Sequence, residues 1–153
     1  MKDVTISATP ISPEQLLEGM RRGNPRIGAV VTFVGLMRDI NDGEDVSELF
    51  LEHYPGMTEK ALQAIVDEAR GRWNLERALV VHRVGDITPE EPIVVVVAAS
   101  RHRGEAFQAC EFIIDYLKTR APFWKRERTA SGERWVDARH SDDAAEARWK
   151  RTD

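Results

Sequence analysis

The chain has 153 residues, 42% apolar and 31% charged, with a formal net charge of -4. That length fits one globular domain whose core needs no staple, and no run approaches the roughly 18 consecutive apolar residues of a membrane span. The acidic balance argues against bulk nucleic-acid binding, for which basic domains are expected. The single cysteine, Cys110, excludes an internal disulfide and a thiolate metal cluster.

The opening Met1-Lys2-Asp3-Val4-Thr5-Ile6 holds no apolar run of the signal-peptide kind, and a cytoplasmic location is expected. Val4 to Ser7 reads as a short strand. Ser12-Pro13-Glu14-Gln15 is a helix start, with Ser12 as N-cap, Pro13 at the first helical position and Gln15 completing a capping box. That helix should end near Gly23-Asn24-Pro25. The β-branched run from Ile27 to Gly35 predicts a strand. Asn41-Asp42-Gly43 predicts a turn, and Val46 to Tyr54 a returning strand.

Pro55-Gly56 breaks the chain. A helix is predicted from Thr58 to Trp73, with Ala61, Leu62, Ile65, Val66, Ala69 and Trp73 on one face. Glu76 to Val84 and Pro92 to Ser100 read as strands separated by a loop. The second is apolar on both faces and so should be central. A long helix from Gly104 to Arg120 should turn Ala106, Phe107, Cys110, Ile113, Ile114 and Leu117 inward, until Pro122 stops it. Phe123 to Thr129 and Glu133 to Asp137 form a terminal hairpin around Ser131-Gly132, and the tail from Ser141 is a turn of helix or a frayed end. One domain over residues 1–140 with a tail over 141–153 is expected. Helices and strands alternate only in part, so the pattern favours α+β with an antiparallel or mixed sheet.

Nucleophilic chemistry finds little support. Cys110 falls on the apolar face of its helix, where a buried thiol is the ordinary reading. His53, His82, His102 and His140 lack metal-ligand spacing, and His82, inside an apolar strand, reads as structural. Cations remain. Arg101 to Arg128 contains seven Lys/Arg against four acids, a local excess of three that leaves -7 on the rest of the chain. A basic island on an acidic protein suits a small anion, against the plain alternative of solvated charge.

Ser100-Arg101-His102-Arg103-Gly104 joins the central strand to a helix N-terminus, where free N–H groups, Arg103 and His102 could hold phosphate. Lys118 and Lys125 flank Ala121-Pro122-Phe123-Trp124. Apolar neighbours make a lysine a candidate acid, base or oxyanion donor, or merely a snorkelling side chain. Arg38 ends the strand before Asn41. Arg103 and Lys118 stand at opposite ends of one helix, about 22 Å apart along its axis at 1.5 Å per residue. Either they serve different sites or two subunits bring them together, and the second is the expectation.

Two stretches carry a resemblance: Glu52-His53-Tyr54-Pro55-Gly56-Met57-Thr58-Glu59-Lys60-Ala61-Leu62 and Asp115-Tyr116-Leu117-Lys118-Thr119-Arg120-Ala121-Pro122-Phe123-Trp124-Lys125-Arg126-Glu127. With Gly28 to Gly35 and Arg134 to Arg139, they resemble the large subunit of molybdopterin synthase, the MoaE family, over roughly residues 27 to 140.

The resemblance implies an α/β-hammerhead fold with an additional antiparallel β portion. It also implies a homodimer at the core of a heterotetramer, with a small ubiquitin-like subunit at each end. That subunit's Gly-Gly thiocarboxylate would supply sulfur to cyclic pyranopterin monophosphate (precursor Z), forming the molybdopterin dithiolene. No cofactor and no metal are implied.

Lys118 and Lys125 match the family's pocket lysines, with Lys118 nearest the chemistry. His102, Arg103 and Arg38 match its phosphate grip, and Arg139 an assisting residue from the neighbouring subunit. Phe33 matches a pocket aromatic, and Met37, beside Arg38 at the strand end, is expected among the substrate-binding residues. Arg126 and Glu127 fall in the substrate-binding stretch, Glu127 as an orienting group. One departure stands out: Leu36 occupies a position where some members carry a basic residue, so a phosphate contact there is through backbone or absent. The rival readings are a non-catalytic anion- or RNA-binding module and a structural partner that only docks a ubiquitin-like tail.

Overall fold

The structure, a computed structural model, describes residues 2–41, 43–136 and 140–150. Among these residues the strands form two sheets. The first begins with β1 (Val4–Ser7), which pairs in parallel with β5 (Leu75–Arg83). β5 runs antiparallel to β7 (Pro92–Ser100), and β7 antiparallel to the outer strand β2 (Ala29–Leu36). The second sheet is antiparallel in the order β3 (Ile40–Asn41), β4 (Glu44–His53), β8 (Phe123–Thr129), β9 (Gly132–Val136), with β6 (Gly85–Ile87) also on β4.

The alternation along β7 explains why it is central. Val94, Val96 and Ala98 point to a core under α2 (Met57–Arg72) and α3 (Arg103–Arg120), whereas Val95, Val97 and Ala99 point to a second core shared with α1 (Pro13–Arg21). A strand buried on both faces reads as an unbroken apolar run. A third cluster, with Met37, Val46, Leu49, Leu51 and Ile87, packs on the second sheet. The α+β expectation and the antiparallel second portion both hold.

Local signals place the helices. The Ser12 hydroxyl accepts from Gln15 N–H at 3.5 Å and Pro13 opens α1. At α2 the N-cap is Gly56, with φ +85°, a left-handed conformation that glycine adopts without a Cβ clash. Its N–H donates to the Glu59 carboxylate at 3.2 Å. Gly28 is required for a different reason: a Cβ there would lie 2.2 Å from the Arg101 carbonyl oxygen. This close approach, with Gly28 N–H donating to Ser100 O at 2.9 Å, fixes the corner from which α3 departs.

Three details differ from the sequence expectation. Phe107, expected inward, is 60% exposed; the buried arc of α3 runs instead through Ala106, Ala109, Cys110, Phe112, Ile113, Tyr116 and Leu117. The loop after Val84 contains β6, whose pairing with Leu49–Leu51 of β4 is long-range and leaves no local signature. The tail forms α4 (His140–Ala147), and Trp149 beyond it meets Trp73 and Phe112 edge-on, at ring separations of 5.6 and 5.7 Å. Arg72 donates to the Trp149 carbonyl at 2.6 Å, and the Trp149 indole N–H donates to Asp115 at 2.6 Å. No helix among the described residues is long and apolar enough to cross a membrane.

Candidate active site

Pro122 has no N–H and cannot continue α3, so the chain reverses within three residues and enters β8 at Phe123. That reversal sets Lys118, in the last turn of the helix, against Lys125 on the strand. Both line a cavity of about 450 Å³ between the end of α3 and the second sheet. Met37 and Arg38 enter the wall after β2, Asn41 from β3, Leu49 from β4, His82 from β5, Glu127 from β8 and Asp142 from α4. The volume is in the range of small-molecule sites, roughly 300–1,000 Å³.

Alternation along β8 decides which residues face the cavity. Phe123, Lys125 and Glu127 share its side, whereas Arg126 points to the other face of the sheet. There its guanidinium lies 4.9 Å from the Phe50 ring centre and 5.7 Å from that of Trp135, with Glu133 at 3.5 Å. Arg126 is therefore outside this cavity. Glu127 is buried and accepts from Asn41 Nδ2 at 2.5 Å and Arg134 Nη2 at 3.2 Å. Both its oxygens are engaged with protein donors, which fits an orienting group better than one that grips a ligand.

His102 and Arg103 lie at the other end of α3, exposed, where His102 is the N-cap. Ser100 Oγ accepts the His102 N–H at 3.1 Å and donates to the His102 carbonyl at 2.5 Å. The helix separates this pair from Lys118 by about 22 Å, so one copy of the chain does not assemble both clusters around one small ligand. Phe33, on outer strand β2 opposite Val96, is outside the cavity wall and 37% exposed. Met37 is buried in the wall. Leu36, 52% exposed, is also at the cavity and offers no side-chain donor. Arg139 lies outside the described residues.

Among the described residues, two buried groups have shifted protonation. Burial pushes the Cys110 thiol up to about 11, opposed by a backbone hydrogen bond at Phe33 and reinforced by the Glu111 charge. Its Sγ lies 3.7 Å from the Val96 carbonyl, inside the main core. A protonated, enclosed thiol is a poor nucleophile. Burial pushes the His82 imidazole down to about 3, against a backbone hydrogen bond at Arg83 that favours the charged form. The cations Lys125 and Lys118, and His53, lower it further.

Among the described residues, His82, Asn41 and Asp142 are the polar cavity residues that sequence reasoning did not select. They reach it through strand pairing and the docking of α4, and the only trace in sequence is the polar ring of His82 in an apolar strand.

Fold and cavity together define an α+β protein with a cation-bearing cavity of small-molecule size. A profile of the MoaE protein family matches residues 6–120. The molybdopterin synthase catalytic subunit of Ralstonia nicotianae is 65% identical over 133 residues, 87% of this chain and 76% of that protein. Among solved structures, the molybdopterin biosynthesis MoaE protein from Burkholderia ambifaria matches with TM-score 0.83 and 50% identity, over 97% of this chain and 98% of the other. A chain from the complex of subunits 1 and 2 of the molybdopterin-converting factor of Helicobacter pylori shares the fold, with TM-score 0.76 at 19% identity over 90% of this chain and 92% of that one. The present chain belongs to the MoaE family.

Proposed function

We propose that this chain is the catalytic subunit of a molybdopterin synthase. It would move sulfur from the C-terminal thiocarboxylate of a small ubiquitin-like subunit onto cyclic pyranopterin monophosphate. The observation that carries the reading is the meeting of Lys118 and Lys125 in one cavity, in a chain so similar to a named catalytic subunit. The name of that relative favours an enzyme over a basic RNA-binding module.

An extended Gly-Gly tail spans about 7 Å at 3.3–3.6 Å per residue and has no side chains to obstruct a narrow slot. With its thiocarboxylate carbon beside Lys118, the ammonium stabilises negative charge on the tail's carbonyl oxygen and serves as proton donor. Lys125 holds the tail's carboxyl oxygen and the substrate. Sulfur is delivered by the partner, so Cys110 has no step to perform. Arg38 contributes to phosphate binding from the same cavity, whereas His102 and Arg103 join it from a second copy of the chain, with Arg139 assisting. The complete assembly would be a central homodimer with one small subunit at each end; for the small-subunit partner, support comes from a solved complex of subunits 1 and 2 of the molybdopterin-converting factor of Helicobacter pylori, a protein of this fold.

The test combines the purified chain, a thiocarboxylated small subunit and the cyclic phosphate, and follows molybdopterin formation. Product is expected with the wild type. Lys118→Ala should lower turnover by about two to four orders of magnitude, the usual scale of general acid–base assistance, while small-subunit binding stays intact. Near-normal turnover in that variant would remove Lys118 from the chemistry.

A further inference from the structure

His82 stands in the cavity wall beside two lysines, and sulfur transfer as described above gives it no task. Its Nδ1 lies 2.8 Å from the Arg83 carbonyl oxygen. A carbonyl only accepts, so the proton sits on Nδ1. The buried ring stays neutral at any working pH, and Nε2 keeps its lone pair. The ring is stacked on Phe123, with centres 3.8 Å apart and planes 18° from parallel. Phe123 and Lys125 are two residues apart on β8, hence on the same face of the sheet. Lys125 lines the same cavity as His82, near enough for its charge to act on the imidazole. Among the described residues, the other charged or titratable groups around this space are Lys118 from α3, His53 from β4, Arg38 after β2, Glu127 from β8 and Asp142 from α4.

We propose that His82 is a positioning residue: its Nε2 accepts a hydrogen bond from the Lys125 ammonium and sets that ammonium's direction without neutralising it. The choice of group follows from charge. A carboxylate at this place would form an ion pair and hold the lysine's proton tightly, and an imidazolium would repel the lysine. At Nε2 a neutral imidazole only accepts, and the ring is held on one side by donation of Nδ1–H to the Arg83 carbonyl and on one face by Phe123. It orients the cation and leaves its charge available to a ligand. The inference rests on the sulfur-transfer reading only for its effect on turnover, because the contact itself is measurable without substrate.

Two variants test it in the full chain. His82→Phe keeps an aromatic ring over Phe123 and removes the acceptor, and His82→Gln returns an acceptor as an amide oxygen. The Lys125 titration is followed by NMR of lysine labelled with carbon-13 at Cε, assigned with Lys125→Arg. A hydrogen bond to the charged form favours that form, so His82→Phe should lower the Lys125 midpoint by about one pH unit, a tenfold change in the deprotonated fraction. His82→Gln should restore most of it. In the complete reaction the Phe variant should lose kcat about tenfold, with the alkaline limb of its pH profile moved the same way.

Identical Lys125 titrations in all three proteins would overturn the proposal. Should neither variant fold, nitrogen-15 NMR of wild-type histidine decides. A neutral Nδ1–H tautomer throughout the range from about pH 5 to 8 supports it, and an Nε2–H tautomer or an imidazolium overturns it. A shifted Lys125 in a wild-type protein that makes no molybdopterin would leave this inference standing and remove the function proposed above.

Discussion

Replacing Glu127 with alanine removes an acceptor that two donors share inside the cavity wall. Glu127 is 6% exposed, and its carboxylate takes hydrogen bonds from Asn41 Nδ2 at 2.5 Å and Arg134 Nη2 at 3.2 Å. A hydrogen bond to a charged group contributes about 1.5–3 kcal/mol, and breaking a fully buried ion pair costs about 3–5 kcal/mol. Arg134 is not fully buried: its side chain is 35% exposed and it retains Glu44 at 3.0 Å and the Asn41 carbonyl at 2.9 Å. Solvent screening of a partly exposed cation reduces the cost, which brings the expected loss to about 2 kcal/mol. For a domain of this size that is a fall in Tm of about 4–8 °C. Thermal unfolding of wild type, Glu127→Ala and Glu127→Gln measures it. Gln keeps an oxygen for one donor, so its loss should be about half. If Glu127 works only by holding its neighbours, Ala should also raise KM for the substrate more than it lowers kcat. An unchanged Tm in the alanine variant would refute the reasoning, because it would mean that the two donors need no partner there.

Other outcomes follow from the same geometry. Trp149→Ala should cost about 2 kcal/mol, below the 3–5 kcal/mol of a fully buried tryptophan because Trp149 is only partly buried against Trp73 and Phe112. Chemical denaturation and proteolysis of the C-terminal segment would both report it. Cys110 should resist thiol reagents in the native state at pH 8, since a group pushed up to about 11 is thiolate in roughly one molecule per thousand. Its folded value lies above the ordinary 9.0, so the native state holds the proton more tightly than the unfolded chain. That contribution to stability is complete below pH 9 and is lost as pH rises toward about 11; unfolding followed across that window should show the decline, which Cys110→Ser should lessen.

How much could be read from sequence depended on how local the cause was. β7 and the helix that follows it were legible because β-branched apolar residues in an unbroken run leave few alternatives and Pro122 marks an end. Phe107 was misplaced because it sits one step past the edge of the buried arc of α3, where spacing alone does not tell a rim position from a core one. The lysines were visible through their motif, and the alternation rule already separates Lys125 from Arg126 once β8 is a strand. The cavity itself was not visible. Its walls come from both sheets and from α3 and α4, brought together mostly by long-range strand pairing and helix packing. For the same reason His82 read as filler when considered within its own strand.

Because α3 holds its two cationic ends about 22 Å apart, damage at the two ends should be separable between molecules. Mix a protein disabled at Arg103 with one disabled at Lys118 and let them exchange partners. With the two-copy site proposed above, one pocket of a mixed pair inherits both lesions and the other inherits neither. With free reassortment of a two-fold pair, about a quarter of all pockets become whole, so two inert preparations should regain function on blending. A rod too long for one ligand thereby becomes a means of genetic complementation.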